Sequence, residues 1–82
     1  MNKQPLVTAI NKTHQAKVNR ACAWLSKYNA LNDLRDIADN DGDEKAYRKL
    51  DRQCANAFDK YLDIVDELPS REKDNIEKSE LY

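Results

Sequence analysis

Between Asp43 and Leu68 the apolar residues Tyr47, Leu50, Cys54, Ala57, Phe58, Tyr61, Ile64, Val65 and Leu68 recur at helical spacing. At about 100° per residue they share one side of a helix. No other segment has so long or so regular an apolar stripe. Such a helix is stable only when the stripe is covered, so this stretch dictates a helical partner before anything else is known.

The ends of the stripe are marked. Pro69 stops the helix, because a residue before proline disfavours helical geometry. Asp39-Asn40-Asp41-Gly42 precedes it, and Gly42 is the only glycine in the chain. A glycine tolerates the left-handed conformation that a tight connection needs. Asp41 with Glu44 three residues on resembles a capping box.

Upstream, Val7, Ile10, His14, Val18, Ala21, Leu25 and Tyr28 fall on one face and predict a first helix over about 5–40. Pro5 suits its first turn, Thr13 is a second candidate cap, and residues 1–4 read as frayed. After Tyr28 the stripe moves, with Leu31, Leu34 and Ala38 projecting away from Val18 and Leu25. Asn residues at 29 and 32 predict a break there. The alternative is one continuous helix with two apolar faces, on which Ala16, Ala23 and Leu34 contact a second body. Downstream, Ser70 is placed to cap a short C-terminal helix over 70–80. Its only apolar anchors are Ile76 and Leu81, which predicts weak docking.

A connection this short forces the long helices antiparallel. The expected levels pair Ile37 with Ala46, Leu34 with Leu50, Tyr28 with Phe58, Leu25 with Tyr61, and Val18 with Val65. Charge supports that register. Residues 1–32 carry Lys3, Lys12, Lys17, Arg20 and Lys27 and no acid. Residues 33–44 carry Asp33, Asp36, Asp39, Asp41, Asp43 and Glu44 against Arg35. Residues 45–52 are basic apart from Asp51, and 53–68 acidic apart from Lys60. A hairpin sets opposite blocks face to face; an antiparallel dimer would do the same. Exposed pairs contribute only ~0–1 kcal/mol each, so they set register rather than stability.

The 82 residues make a single small helical domain, 1–82. A chain this short buries only about 60% of its unfolded surface, and a two-helix layer covers each stripe in part. A third layer is therefore expected, and self-association is preferred because the terminal helix is so polar. The expected fold class is all-α: a helical hairpin of 5–40 and 43–68 plus a short C-terminal helix, completed by dimerisation into a helical bundle.

Chemistry is sparse. Asp39-Asn40-Asp41-Gly42-Asp43 does not fit a calcium loop, since Ile37 and Arg48 fall where that loop needs acids. Cys22 and Cys54 lack metal-ligand spacing, sit roughly 12 Å apart in level, and read as buried reduced thiols. His14, the only histidine, has no neighbouring nucleophile and reads as a core-edge residue. No phosphate loop or nucleophile motif occurs, so neither catalysis, cofactor nor metal is expected. The N-terminal stretch has no long apolar run, which argues against a signal peptide or membrane span and for a cytoplasmic location.

The residues therefore point to a non-catalytic protein-binding module and homodimer, of the phage- or plasmid-type class of inhibitors and modulators that act on a larger host protein, anti-defence proteins included. Trp24 and Leu62, at the margins of the stripes, with Leu31 and Leu34 of the displaced stripe, are the candidate protein-binding residues. The alternative is a nucleic-acid-binding regulator of helical-hairpin dimer type, gripping phosphates with Lys12, Asn19, Arg20 and Lys27. A net charge of −1 weighs against it. A further alternative is acidic mimicry of nucleic acid by Asp33, Asp36, Asp39, Asp41, Asp43 and Glu44.

Overall fold

The computed structural model describes residues 7–79. The expectations placed on residues 1–6 and on Leu81 fall outside them. The described chain is all-α: a 3-10 turn, Lys12–His14, then α1 (Gln15–Asn40), α2 (Glu44–Val65) and α3 (Ser70–Glu77). The two long helices form the antiparallel hairpin, in the expected register. Tyr28 stacks against Phe58 with ring centroids 5.0 Å apart, and Phe58 against Tyr61 at 5.6 Å.

The turn is built from backbone. Asp41 ends α1 and Gly42 takes φ 70°. The Asp43 N–H donates to the Ala38 carbonyl at 2.9 Å and the Gly42 N–H to that of Asp39 at 3.1 Å, the pairing of a Schellman motif. The cap of α2 is Asp43 rather than Asp41: its carboxylate accepts the Ala46 N–H at 3.1 Å. Glu44 instead bonds Arg48 one turn on, at 2.8 Å. The turn needs two more residues beyond α1 than the capping-box pattern allowed, which moves the cap from Asp41 to Asp43.

The expected break at 29–32 is absent, and α1 runs unbroken for 26 residues. Asn32 accepts a hydrogen bond from the Arg35 guanidinium three residues on, so its side chain is held along the helix surface instead of capping a new end. The apolar stripe moves because the face of α1 that meets α2 rotates. A seven-residue repeat drifts about 20° against a straight helix. α1 also starts later than about residue 5. Residues 7–11 are irregular, and Asn11 caps the 3-10 turn by accepting the Thr13 N–H at 3.0 Å. Ile10, expected on the apolar face, is 62% exposed.

The third layer comes from within the chain, at the open end of the hairpin. Val7, Ala9, Leu68 and Ile76 join Val18, Ala21, Cys22, Leu25, Tyr61, Ile64 and Val65 in one buried cluster. Docking of α3 is not weak: Ile76 is 0% exposed. Its helix begins at Ser70, with Pro69 rather than Ser70 in the cap position. What the weak-docking expectation lacked is polar. Glu72, 2% exposed, accepts the Ile10 N–H at 2.8 Å and the Asn11 N–H at 3.1 Å. Gln15 accepts the Ala9 N–H at 2.8 Å and donates to the Val7 carbonyl at 3.0 Å. Asn75 donates to the Thr8 carbonyl at 2.8 Å. An irregular segment is thereby packed against the hairpin with its backbone groups paired.

Candidate functional site

The hairpin has two unlike halves. At the open end, the third layer shelters the large side chains between the helices, although Ile10 on the covering segment is itself 62% exposed. Toward the turn, nothing among the described residues covers the pair of helices. There the buried contacts come from the small residues Ala38, Cys54 and Ala57, with Leu31, Tyr47 and Leu50 half-buried. Leu34 is 50% and Ile37 56% exposed. They lie three residues apart on α1 and so share one face.

Trp24, Leu31 and Leu34 are brought together on this side. Trp24 packs partly against the core cluster, and the Lys27 Nζ sits 5.1 Å from its ring centroid. Trp24, Lys27 and Leu31 line a groove of about 180 Å³ with Gln53, Asn56 and Ala57 of α2. Leu62 does not join them. It lies about two and a half turns beyond Gln53, on the opposite side of α2, half-buried against the core cluster. Ile37 is the residue that sequence reasoning missed. The sequence register pairs it with Ala46, but the rotation of the contact face carries it outward.

The candidate phosphate-binding residues are less unified. Arg20 and Lys27 are exposed and seven residues apart, on one line of α1. Lys12 belongs to the 3-10 turn, off that line. Asn19 accepts the Gln15 side-chain amide at 2.8 Å. A second basic group, exposed Lys45, Arg48, Lys49 and Arg52, surrounds an open depression of about 330 Å³ on α2. That depression lies among long side chains of a single helix and has no wall from a second element.

The acidic residues spread around the tip. Asp33, Asp36, Asp39 and Asp41 are exposed; Asp43 is committed to its cap and Glu44 to Arg48. The interhelical ion pairs qualify the block pattern. Lys17 meets Glu67 at 4.0 Å, as the opposed blocks require. The shorter pair, Arg35 with Asp51 at 2.7 Å, joins the odd member of each tip block and raises the Arg35 pKa through that hydrogen bond.

His14 lines a cleft of about 220 Å³ with Ile10, Asn11, Pro69, Arg71 and Glu72. Glu72 is the carboxylate there, and both its oxygens already accept backbone N–H groups. Cys22 and Cys54 are buried free thiols, and burial pushes both upward in pKa. Among the described residues no group of three His, Cys, Asp or Glu side chains could hold a metal ion. No described helix is long and apolar enough to cross a membrane.

The chain matches no protein-family model, and comparison with curated proteins and with solved structures yields no match.

Proposed function

We propose that this chain is a non-catalytic, cytoplasmic protein-binding module that acts through the turn half of its hairpin. Its role is that of a small phage- or plasmid-type modulator, which occludes or bridges a larger protein. The observation that carries this reading is the unsheltered apolar face of α1. Leu34 and Ile37 are half-exposed beside half-buried Leu31 and Trp24, whereas at the open end the exposed large apolar residue, Ile10, stands singly on the covering segment. Single exposed apolar residues are ordinary; an adjoining set on one rigid helix face is the pattern of an interface.

The test is affinity purification of the tagged full chain from its native host, with bound proteins identified by mass spectrometry. Leu34→Glu/Ile37→Glu serves as control. A partner held by the native chain and lost by the variant is the expected result. Equal retention by both would move the site elsewhere, and capture of nothing beyond background would reject the reading.

A second reading, phosphate binding by α1, is favoured by the exposed alignment of Arg20 and Lys27. It predicts a gel shift with DNA or RNA that weakens steeply as salt rises. No shift at low salt would remove it.

A further inference from the structure

We infer that the occupant of the turn-half surface is a second copy of this chain, laid antiparallel along α1. This rests on reading that surface as a protein-binding one, and it names the partner.

Arg20, Ala23, Lys27, Ala30, Leu34 and Ile37 follow one another at gaps of three and four along α1, and every one is exposed. An average gap of about 3.5 residues is the seam of a two-stranded coiled coil. The seam complements itself when a second α1 runs antiparallel about a point between Tyr28 and Asn29. Leu34 of each copy then faces Ala23 of the other. Ile37 faces the aliphatic stem of Arg20, and the stem of Lys27 faces Ala30. Each layer sets a long side chain against a shorter or slimmer one, which is how facing positions fill space without voids. Along one edge of the seam, Trp24 of each copy comes beside Leu31 of the other. The half-buried anchors of the groove are thereby covered in both copies.

Charge selects the direction. Up to residue 32 the chain carries bases and no acid, and from Asp33 to Glu44 it carries acids with only Arg35 opposing. In the antiparallel arrangement Asp33 of the second copy lies one turn beyond the layer of Lys27. Asp41 lies one turn beyond the layer of Arg20. All four of these side chains are exposed and in reach of solvent in the isolated chain. A parallel arrangement would instead set Arg20 on Arg20, Lys27 on Lys27 and Leu34 on Leu34, with like charges adjacent and alanine layers unfilled. A single two-fold axis relates the antiparallel copies, so the assembly closes as a dimer.

Sedimentation equilibrium of the full chain tests this. The native protein is expected to be a dimer. Leu34→Glu/Ile37→Glu should raise the dimer dissociation constant by about 100-fold or more. Both positions are exposed, so helical circular dichroism should stay at its native value, while Tm should fall only by what dimerisation adds and lose its dependence on protein concentration. Lys27→Glu should weaken the dimer by roughly tenfold, and Lys27→Glu/Asp33→Lys should restore it. A native chain that is monomeric at every concentration overturns the inference. So does a dimer that tolerates Leu34→Glu/Ile37→Glu, or one that the charge swap leaves weakened. A monomer that still captures a different protein through Leu34 and Ile37 would end self-pairing and leave the protein-binding reading standing. A monomer that captures nothing would end both.

Discussion

Glu72 carries a full carboxylate at 2% exposure, and its burial makes sense only through the N–H groups of Ile10 and Asn11 that it accepts. Nothing in the sequence distinguishes it from the solvated acids around it, because its partners are backbone atoms some sixty positions away. Glu72→Ala should lower unfolding free energy by about 3 kcal/mol in urea titration, since it leaves two donors unpaired at the edge of the core. The two cysteines were legible as buried thiols, since Cys54 sits on an apolar stripe and Cys22 at the edge of one. Burial raises their pKa, so the folded chain keeps those protons to higher pH than the unfolded one. The associated stability is therefore intact below the unfolded thiol value of about 8.5 and is lost as pH rises through the folded value. Denaturation midpoints should fall on the alkaline side. The fall should be shallower in Cys22→Ala/Cys54→Ala.

At the scale of elements, the connection between α1 and α2 shows how a motif can place a turn yet misplace its cap. Gly42 was readable from composition alone, and its φ of 70° is what the reading required. Gly42→Ala meets no atom within 4 Å of the new Cβ, so its effect is purely conformational. It should destabilise the chain by about 1 kcal/mol, the strain of an L-residue held left-handed. Asp43→Ala should have a similar effect of about 1 kcal/mol through loss of the cap. Asp41→Ala should have little, and thermal melts of the two variants separate the assignments. The continuity of α1 was not readable. Asn residues at 29 and 32 have a local preference for turns, but the packing of Tyr28 on Phe58 and the Arg35–Asp51 pair hold the helix to α2 on either side of them.

At the scale of the whole molecule, the hairpin is thick at its open end and thin at its turn, within overall extents of 45 × 29 × 20 Å. The need for a third layer was a sound inference from chain length. Its source at the open end was not legible, because the covering segment is short, irregular and held by Gln15, Glu72 and Asn75 rather than by an apolar stripe. Ile76→Ala should reduce stability by about 3 kcal/mol, since a fully buried side chain leaves a cavity beneath α3. Hydrogen exchange should then show the Ile10 and Asn11 amides losing protection first. The amides of the turn half should change only with global unfolding.

Local rules determined a good deal unaided. The 3.6-residue period of the stripes, the lone glycine and Pro69 specify two long helices, their antiparallel course and their register, because each acts within a few residues of chain. What lay beyond them was decided only in three dimensions: which face of α1 is covered at each level, and which polar side chains are spent on distant backbone. Those outcomes depend on the gradual rotation of one helix over the other and on contacts between residues 7–11 and 72–75, separations over which periodicity carries no information. Ile37 stands exposed for that reason beside Leu34, whose outward projection the shift of the stripe after Tyr28 already indicated.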